Sequence, residues 1–386
     1  MKKPLALPRL LLPLAVLLTF CFLAGCSHVK PYYRDSIQPD RYPIPEEDQI
    51  SFRVLLIGDA GAPREDEPTF LKITQWASRH PEKTMIIFLG DNIYPDSMPE
   101  TEDPWRIEAE RRLKAQTDVI KKSGAQGFFI AGNHDWKRGL EGMLRQEKFI
   151  HYQLGSKGTY LPPAGCPGPE YIDLPDIRII AVDSHYWLHP DEERLEKCSQ
   201  HELTDAEDSL KAMLQSAGDR HVIMVSHHSL DSYGTHGGFF DWKDHLFPLR
   251  HIKSWMWLPL PIVGSLYPLL RWNVAKHPQE LNSPEYKNMI RQFKEAFQIK
   301  KPLLYVGGHD HSLQVFEGED MVGYILVSGA GIDSKLSTVG HRDSTLFAHL
   351  HAGFMSVDFK KDGSVWLYVV EPMEPEIVFS YKLETK

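Results

Sequence analysis

Six short apolar runs lie between residues 52 and 306, and most end in a cluster of glycine and polar residues. Phe52–Ile57 runs into Gly58-Asp59, Thr84–Leu89 into Gly90-Asp91, and Gly127–Ala131 into Gly132-Asn133-His134-Asp135. Arg178–Val182 is a fourth run. His221–Val225 leads into Ser226-His227-His228, and Leu303–Val306 into Gly307-Gly308-His309-Asp310-His311. Between the runs, helical patterns cover about 67–80, 103–121, 204–217 and 285–298. Continuous apolar runs too short for helices, alternating with helical periods, predict buried strands in an α/β sheet system. Beyond residue 312 the pattern changes to short alternating strands at 313–316, 323–328, 353–359, 364–370 and 376–382. The chain shows no internal repeat and no low-complexity segment.

The polar residues fall at the C-terminal ends of those runs, the edge where open α/β sheets gather their sites. They are Asp59, Asp91 with Tyr94, Asn133 with His134, His227 with His228, and His309 with His311. Carboxylate, amide oxygen and imidazole are the ligands of hard and borderline metals. Taken singly, Gly-Asp after a strand is a turn, Tyr94 a rim aromatic, and a histidine beside a strand a structural residue. His309-x-His311 is more specific, because alternate residues of an extended turn point the same way. Five such elements in succession predict a metal site.

These five segments resemble the five motif blocks of the calcineurin-like metallophosphoesterases. They are Gly58-Asp59-Ala60-Gly61, Gly90-Asp91-Asn92-Ile93-Tyr94, Gly132-Asn133-His134-Asp135, Val225-Ser226-His227-His228 and Gly308-His309-Asp310-His311. The nearest branch is the purple acid phosphatases in their small, tartrate-resistant form. Gly61 stands where most of the superfamily has His, and Tyr94 stands at the ligand spacing of that branch. The likeness covers roughly residues 52–370. It implies a four-layer α-β-β-α sandwich of two mixed β-sheets flanked by helices.

The resemblance also implies two metal ions. Fe(III) would be held by Asp59, Asp91, Tyr94 and His311, and a divalent Zn, Fe or Mn by Asp91, Asn133, His227 and His309, with Asp91 bridging. Phenolate and carboxylates suit a hard trivalent ion, and imidazoles with an amide oxygen suit a divalent one. Two adjacent metals activate a hydroxide and clamp a phosphoryl group for in-line attack. His134 matches the family's acid, with Asp135 as the group that orients its ring. His236, in Thr235-His236-Gly237, lies where the tartrate-resistant enzymes carry a second active-site histidine. Block four departs from the family in having Ser226 in place of Gly. His228 beside it reads either as a strand-end residue or as a contact to substrate. The implied function is phosphate-ester hydrolysis by a phosphomonoesterase of acid-phosphatase type. A phosphodiesterase acting on lipid headgroups or nucleotides, and a metal-binding lipoprotein without activity, are the alternatives.

Composition changes the picture at the ends. With 42% hydrophobic and 25% charged residues the chain is globular rather than disordered or fibrous. A formal net charge of −9 offers no footprint for a nucleic-acid polymer. Lys2, Lys3 and Arg9 precede an apolar run from Leu10 to Leu23, too short to span a bilayer comfortably, which ends in Leu23-Ala24-Gly25-Cys26. This resembles a lipoprotein signal with its lipobox. Residues 1–25 are the expected signal peptide, Cys26 the lipidated residue, and 26–50 a membrane tether ahead of a single domain over 51–386. By the same resemblance Ser27 points to the bacterial cell envelope, at the outer membrane. Of four cysteines, Cys166 and Cys198 remain, an even pair that in an exported protein predicts a disulfide.

Between His227 and His309 lie 81 residues, more than a helix and a strand require, so about 229–284 is an insertion at the rim of the site. Its centre, Trp255–Trp272, is rich in Trp, Leu and Pro, and Pro259, Pro261 and Pro268 exclude a regular spanning helix. It reads as a lid with its apolar side on the domain, or as a lip making interfacial contact with amphiphiles or a membrane.

Overall fold

The structure, a computed structural model, describes residues 27–34, 45–191, 198–200, 202–253, 255–373 and 375–385. In chain order the strands are β1 (Tyr32–Tyr33), β2 (Ile50–Ile57), β3 (Thr84–Phe88), β4 (Gln126–Phe129), β5 (Glu170–Asp173), β6 (Ile177–Ala181) and β7 (His221–Val225). They continue with β8 (Leu304–Gly307), β9 (Leu313–Glu317), β10 (Tyr324–Ser328), β11 (Thr345–His349), β12 (Phe354–Lys360), β13 (Val365–Val370) and β14 (Ile377–Leu383). The helices are α1 (Pro68–Ala77), α2 (Arg106–Ser123), α3 (Gly139–Leu154), α4 (Ser184–Leu188), α5 (Leu203–Gln215), α6 (Trp242–Leu246), α7 (Leu266–Leu270) and α8 (Pro284–Ala296).

One sheet has the order β1-β11-β9-β10-β8-β7-β6-β5 and the other β14-β13-β12-β2-β3-β4. The parallel part of one sheet is β2, β3 and β4, all motif runs, and that of the other is β6, β7, β8 and β10, of which β7 and β8 are motif runs. Strand β2 shows why two sheets form. Val54 and Leu56 point to one side, where they meet Ile179, Ile223, Val306 and Val315 of the facing sheet. Leu55 and Ile57 point to the other side, against Trp76 of α1, Leu113 of α2 and Met143 of α3. The opposite sheet repeats this, with Val222, Met224 and Tyr305 against Leu210 of α5 and Phe293 of α8. Each such side chain contributes about 1.5–3 kcal/mol on burial, so both faces of each parallel strand must be covered. The result is the expected four-layer sandwich.

Several elements differ from the sequence reading. Helix α3 was not predicted, because Gly142, Gln146 and Glu147 occupy buried positions and interrupt its apolar period. Strand β11 is buried at all five residues and lacks the alternation that marks its antiparallel neighbours. The expected tether is not free chain in its described part. Tyr32 and Tyr33 pair with Ala348 and Phe347 as an edge strand, Tyr32 stacks on His341 at 3.9 Å, and His28 N–H donates to the Val339 carbonyl. Two tyrosines facing an open sheet edge can add a strand, which outweighs a local composition typical of linkers. The signal segment and Cys26 lie outside the described residues. Cys166 and Cys198 form the predicted disulfide, with Cα atoms 5.4 Å apart.

One polar pair lies inside the helix-facing layer. Arg53 of β2 and Asp358 of β12 are register partners, and both side chains are fully buried. The guanidinium donates two hydrogen bonds of 2.8 Å to the carboxylate. Ser356 Oγ donates a third at 2.8 Å.

Candidate metal centre

Strands β2, β3 and β4 of one sheet, and β7 and β8 of the other, end at a common edge. The turns after them interlock: Gly58 N–H donates to Ser328 O, Asp59 N–H to Gly90 O, and Gly308 N–H to His227 O. Packing is tight enough to restrict residue type. A Cβ on Gly132 would lie 2.3 Å from Asp91 N, and one on Gly61 would lie 2.5 Å from Asp91 O. Gly61 therefore lets the first turn close on the second, where a larger residue would hold them apart. Asp59, Asp91 and His309 have φ of 57°, 53° and 69°. Each non-glycine residue in that region costs roughly 1–3 kcal/mol, and three of them meet at this edge.

The side chains converge in two groups. In the first, Tyr94 Oη donates to Asp59 Oδ1 at 2.9 Å and lies 3.2 Å from His311 Nε2. Asp59, Asp91 and His311 present ligand atoms all within 4.8 Å of one another. In the second, Asn133 Oδ1 lies 3.0 Å from His227 Nε2 and 3.1 Å from His309 Nδ1. Asp91 reaches this group too, with Oδ1 3.5 Å from His227 Nε2.

Each histidine is aimed by its other nitrogen. His227 Nδ1 donates to Leu89 O at 2.8 Å, His309 Nε2 to Gln279 O at 3.1 Å, and His311 Nδ1 to Lys335 O. The remaining nitrogen of each ring then turns a lone pair to the centre, the arrangement by which proteins orient metal-ligating imidazoles. Burial, with the neighbouring His236 and His228, holds His309 well below the usual imidazole range, so it is a neutral donor. Asp91 is opposed by burial, but His227 and His134 outweigh it and bring the carboxyl down to about 2. Burial and the carboxylates of Asp59 and Asp91 push the Tyr94 phenol well above its ordinary value. Two buried carboxylates, three aimed imidazoles, an amide oxygen and a phenol suit metal cations, and they divide into two sets that share Asp91.

The structure brings His134 and His236 to the same cleft, a cavity of about 540 Å³ whose walls include Asp91, Asn133, His309 and His311. His134 Nδ1 donates to Pro95 O, and Lys137 Nζ lies 3.4 Å from its Nε2. His236 packs against His309 with ring centres 3.9 Å apart and the planes tilted by 33°, and its Nδ1 is 3.4 Å from Glu280 Oε1.

Asp135 departs from its expected role. Its carboxylate accepts from Asn92 N and Nδ2 and from Gly132 N, at 2.7–3.0 Å. It braces the turns of blocks two and three, while Pro95 O orients His134. Two main-chain N–H groups and the Asn92 side-chain amide outcompete the adjacent ring. His228 is fully buried behind His309, ring centres 4.4 Å apart, with Nδ1 2.9 Å from Ser184 Oγ. It lies within 4.8 Å of His227 and His309 and is not at the cleft surface. Glu280, Gln279 and Lys335 were not found from sequence. They stand in the insertion and in the loop after β10, with no motif spacing to mark them.

A model of the calcineurin-like phosphoesterase family matches residues 52–313. Among solved structures, the chain is similar to GAP50, the anchor in the inner membrane complex of Plasmodium, with 18% identity, a TM-score of 0.55, 88% of this chain covered and 90% of that one. It is also similar to the purple acid phosphatase PPD1 of yellow lupin, at 14% identity, TM-score 0.49, 86% of this chain and 53% of that one. PhoD matches at 10% identity, TM-score 0.49, 86% of this chain and 70% of that one. No curated protein matches the chain. The family match covers all five strand-end motifs, strands β2 to β8 and all eight named helices, more than half of the chain, and the chain therefore belongs to the calcineurin-like phosphoesterase family.

Proposed function

We propose that the chain is a phosphomonoesterase with two metals. Fe(III) would be held by Asp59, Asp91, Tyr94 and His311, and a divalent Zn, Fe or Mn by Asp91, Asn133, His227 and His309. The observation that carries this reading is the sharing of Asp91 between two donor sets at the floor of one cleft. When bound, two such ions supply Lewis acidity and a water acidic enough to serve as nucleophile near neutral pH.

The protein's part is positioning and proton supply. Because His134 Nδ1–H is committed to Pro95 O, Nε2 is the nitrogen that faces the cleft; it carries a proton in the imidazolium form, which burial and Lys137 oppose and Asp91 favours. Transfer of that proton to the departing alkoxide leaves a neutral ring still bonded to Pro95. Lys137 and Lys335 add positive charge at the same rim: Lys335 Nζ sits 4.0 Å over the Tyr94 ring. His236 faces them, steadied by Glu280.

The test is turnover of alkyl and aryl monoesters against diesters by metal-replete protein. Faster monoester hydrolysis is expected. Preferential diester cleavage would replace the reading with a phosphodiesterase, and bound metal without turnover of either would end it. A phenolate on Fe(III) absorbs visible light by charge transfer, so iron-loaded protein should be purple to pink and Tyr94→Phe colourless. Colourless iron-loaded parent would remove Tyr94 from the ligand set.

For the N-terminus we propose lipidation of Cys26, supported by the basic start, the apolar run and the Leu23-Ala24-Gly25-Cys26 sequence. Cells fed a fatty-acid analogue should label the parent chain, and Cys26→Ser should abolish the label. Persistent labelling of the variant would disprove the anchor site.

A further inference from the structure

The insertion is where the molecule leaves its apolar residues uncovered. Eighteen large hydrophobic residues are exposed among the described ones, and ten of them fall between Ile252 and Val274. Trp255 is 73% exposed, Val263 62% and Leu270 54%. Scattered exposed apolar residues are ordinary, whereas a concentration of this kind marks a contact surface.

The segment is nevertheless built. Leu260 N–H donates to Leu246 O and Gly264 N–H to Leu260 O. His251 stacks on Tyr267 at 4.8 Å and bonds Asp244 at 2.8 Å. At the root of the segment, a Cβ on Gly238 would lie 2.6 Å from the Trp272 ring. Leu266, Leu269 and Leu270 of α7 share one helical face, and all are at least half exposed. The apolar surface is thus held outward by an ordered support and is not a lid turned down on the domain.

Its charge is opposite to that of the molecule. Residues 241–280 hold five Lys and Arg against three acids, Asp241, Asp244 and Glu280, all three buried and Glu280 paired with Arg271, in a chain of net charge −9. Two of the cations lie over the tryptophans: Arg250 is 4.8 Å from the Trp257 ring centre and Lys243 5.9 Å from that of Trp242. Trp beside Lys or Arg, with leucines beyond, suits the boundary between headgroups and acyl chains. Anionic headgroups are attracted by about 1 kcal/mol per basic residue.

The chain enters the described structure at this same place. Ser27, its first described residue, donates through Oγ to Asp241 Oδ2 at 3.3 Å, at the foot of the insertion. His28 lines a cavity together with Leu269 and Trp272. Ahead of Ser27 stand 26 residues that include the apolar run Leu10–Leu23. Whatever holds that end at a membrane holds it beside Leu269 and Trp272 of the same insertion. We infer that residues 252–274 form a membrane-docking face that seats in an anionic lipid surface. Among the described residues no helix is long and apolar enough to cross a membrane, so this contact is interfacial.

The test uses the full-length chain in vesicles of phosphatidylethanolamine and phosphatidylglycerol whose acyl chains carry bromine, a short-range quencher of tryptophan. Fluorescence is compared with that in unbrominated vesicles. Parent protein should be quenched, and Trp255→Phe/Trp257→Phe should lose roughly half of that quenching, since interfacial tryptophans are the ones in reach. Both sites are more than half exposed, so circular dichroism should be unchanged. Equal quenching in parent and variant would overturn the proposal. In a second arm, Arg250→Glu/Lys253→Glu should reduce quenching in these vesicles and leave it unchanged in purely zwitterionic ones. A loss that is the same in both would overturn the lipid assignment. So would a detergent-solubilised dimer that dissociates on Trp255→Asp, since the face would then belong to a second copy. No arm reads activity, so the outcome is independent of the phosphomonoesterase reading.

Discussion

Alanine at His134 is expected to lower turnover of alkyl phosphate monoesters by roughly 10²–10⁴-fold while metal content stays at the parent level. The ring contributes no atom to either donor set. The residue's hydrogen bond to the centre is from its main-chain N–H to Asp91 Oδ1, at 2.8 Å, which the substitution keeps; the ring only neighbours Asp91 Oδ2, at 3.9 Å, and the Tyr94 ring. What is lost is the proton on Nε2. An alkoxide leaves poorly without a proton, whereas nitrophenolate is stable as an anion, so the loss should shrink sharply for nitrophenyl phosphate. Rates on the two esters, with metal analysis of the same preparation, check this. Equal losses would mean that His134 binds the phosphoryl group and does not act as the acid.

The other large effect is expected far from the cleft. Asp358→Ala should destabilise the fold by about 3–5 kcal/mol, because it strands the Arg53 guanidinium in a fully buried position. Glu47, 3.1 Å from Arg53 Nη1, is partly exposed and cannot replace a buried bidentate partner. Removing both charges together, as in Arg53→Met/Asp358→Leu, should recover much of the loss, since the cost lies in the unpaired ion. Denaturant titration of parent, single and double variants measures it. A single variant within about 1 kcal/mol of the parent would show that water reaches Arg53.

The parallel strands were legible because burial on both faces leaves a continuous apolar run with an abrupt polar end. In β3 every residue from Thr84 to Phe88 is buried, and the next residues after Leu89 are Gly90 and Asp91. The donor residues were legible for the same reason, each lying within a few positions of a strand end. Helix α3 was hidden by polar residues that the core itself accepts, such as Gln146 beside Tyr160. Asp135 was misassigned because sequence adjacency to His134 says nothing of the three N–H groups around it. Glu280 and Gln279 were invisible, since what brings them to His236 and His309 is the path of an insertion, and no local pattern records that path. The packing of Tyr32 and Tyr33 on β11 has the same origin: the edge they cover lies more than three hundred residues away in sequence.

The three carbonyls that hold the histidine rings belong to unrelated parts of the chain: Leu89 just beyond a strand, Gln279 in the insertion, Lys335 in a surface loop. The direction of each lone pair is therefore written outside the motif that contains the ring. A loop of altered length near residue 279 or 335 would tilt one imidazole and retune one ion, with every ligand still in place. Proteins sharing all seven donors can thus differ in metal preference through segments that a motif comparison never aligns. In this chain one of those segments also carries the apolar face.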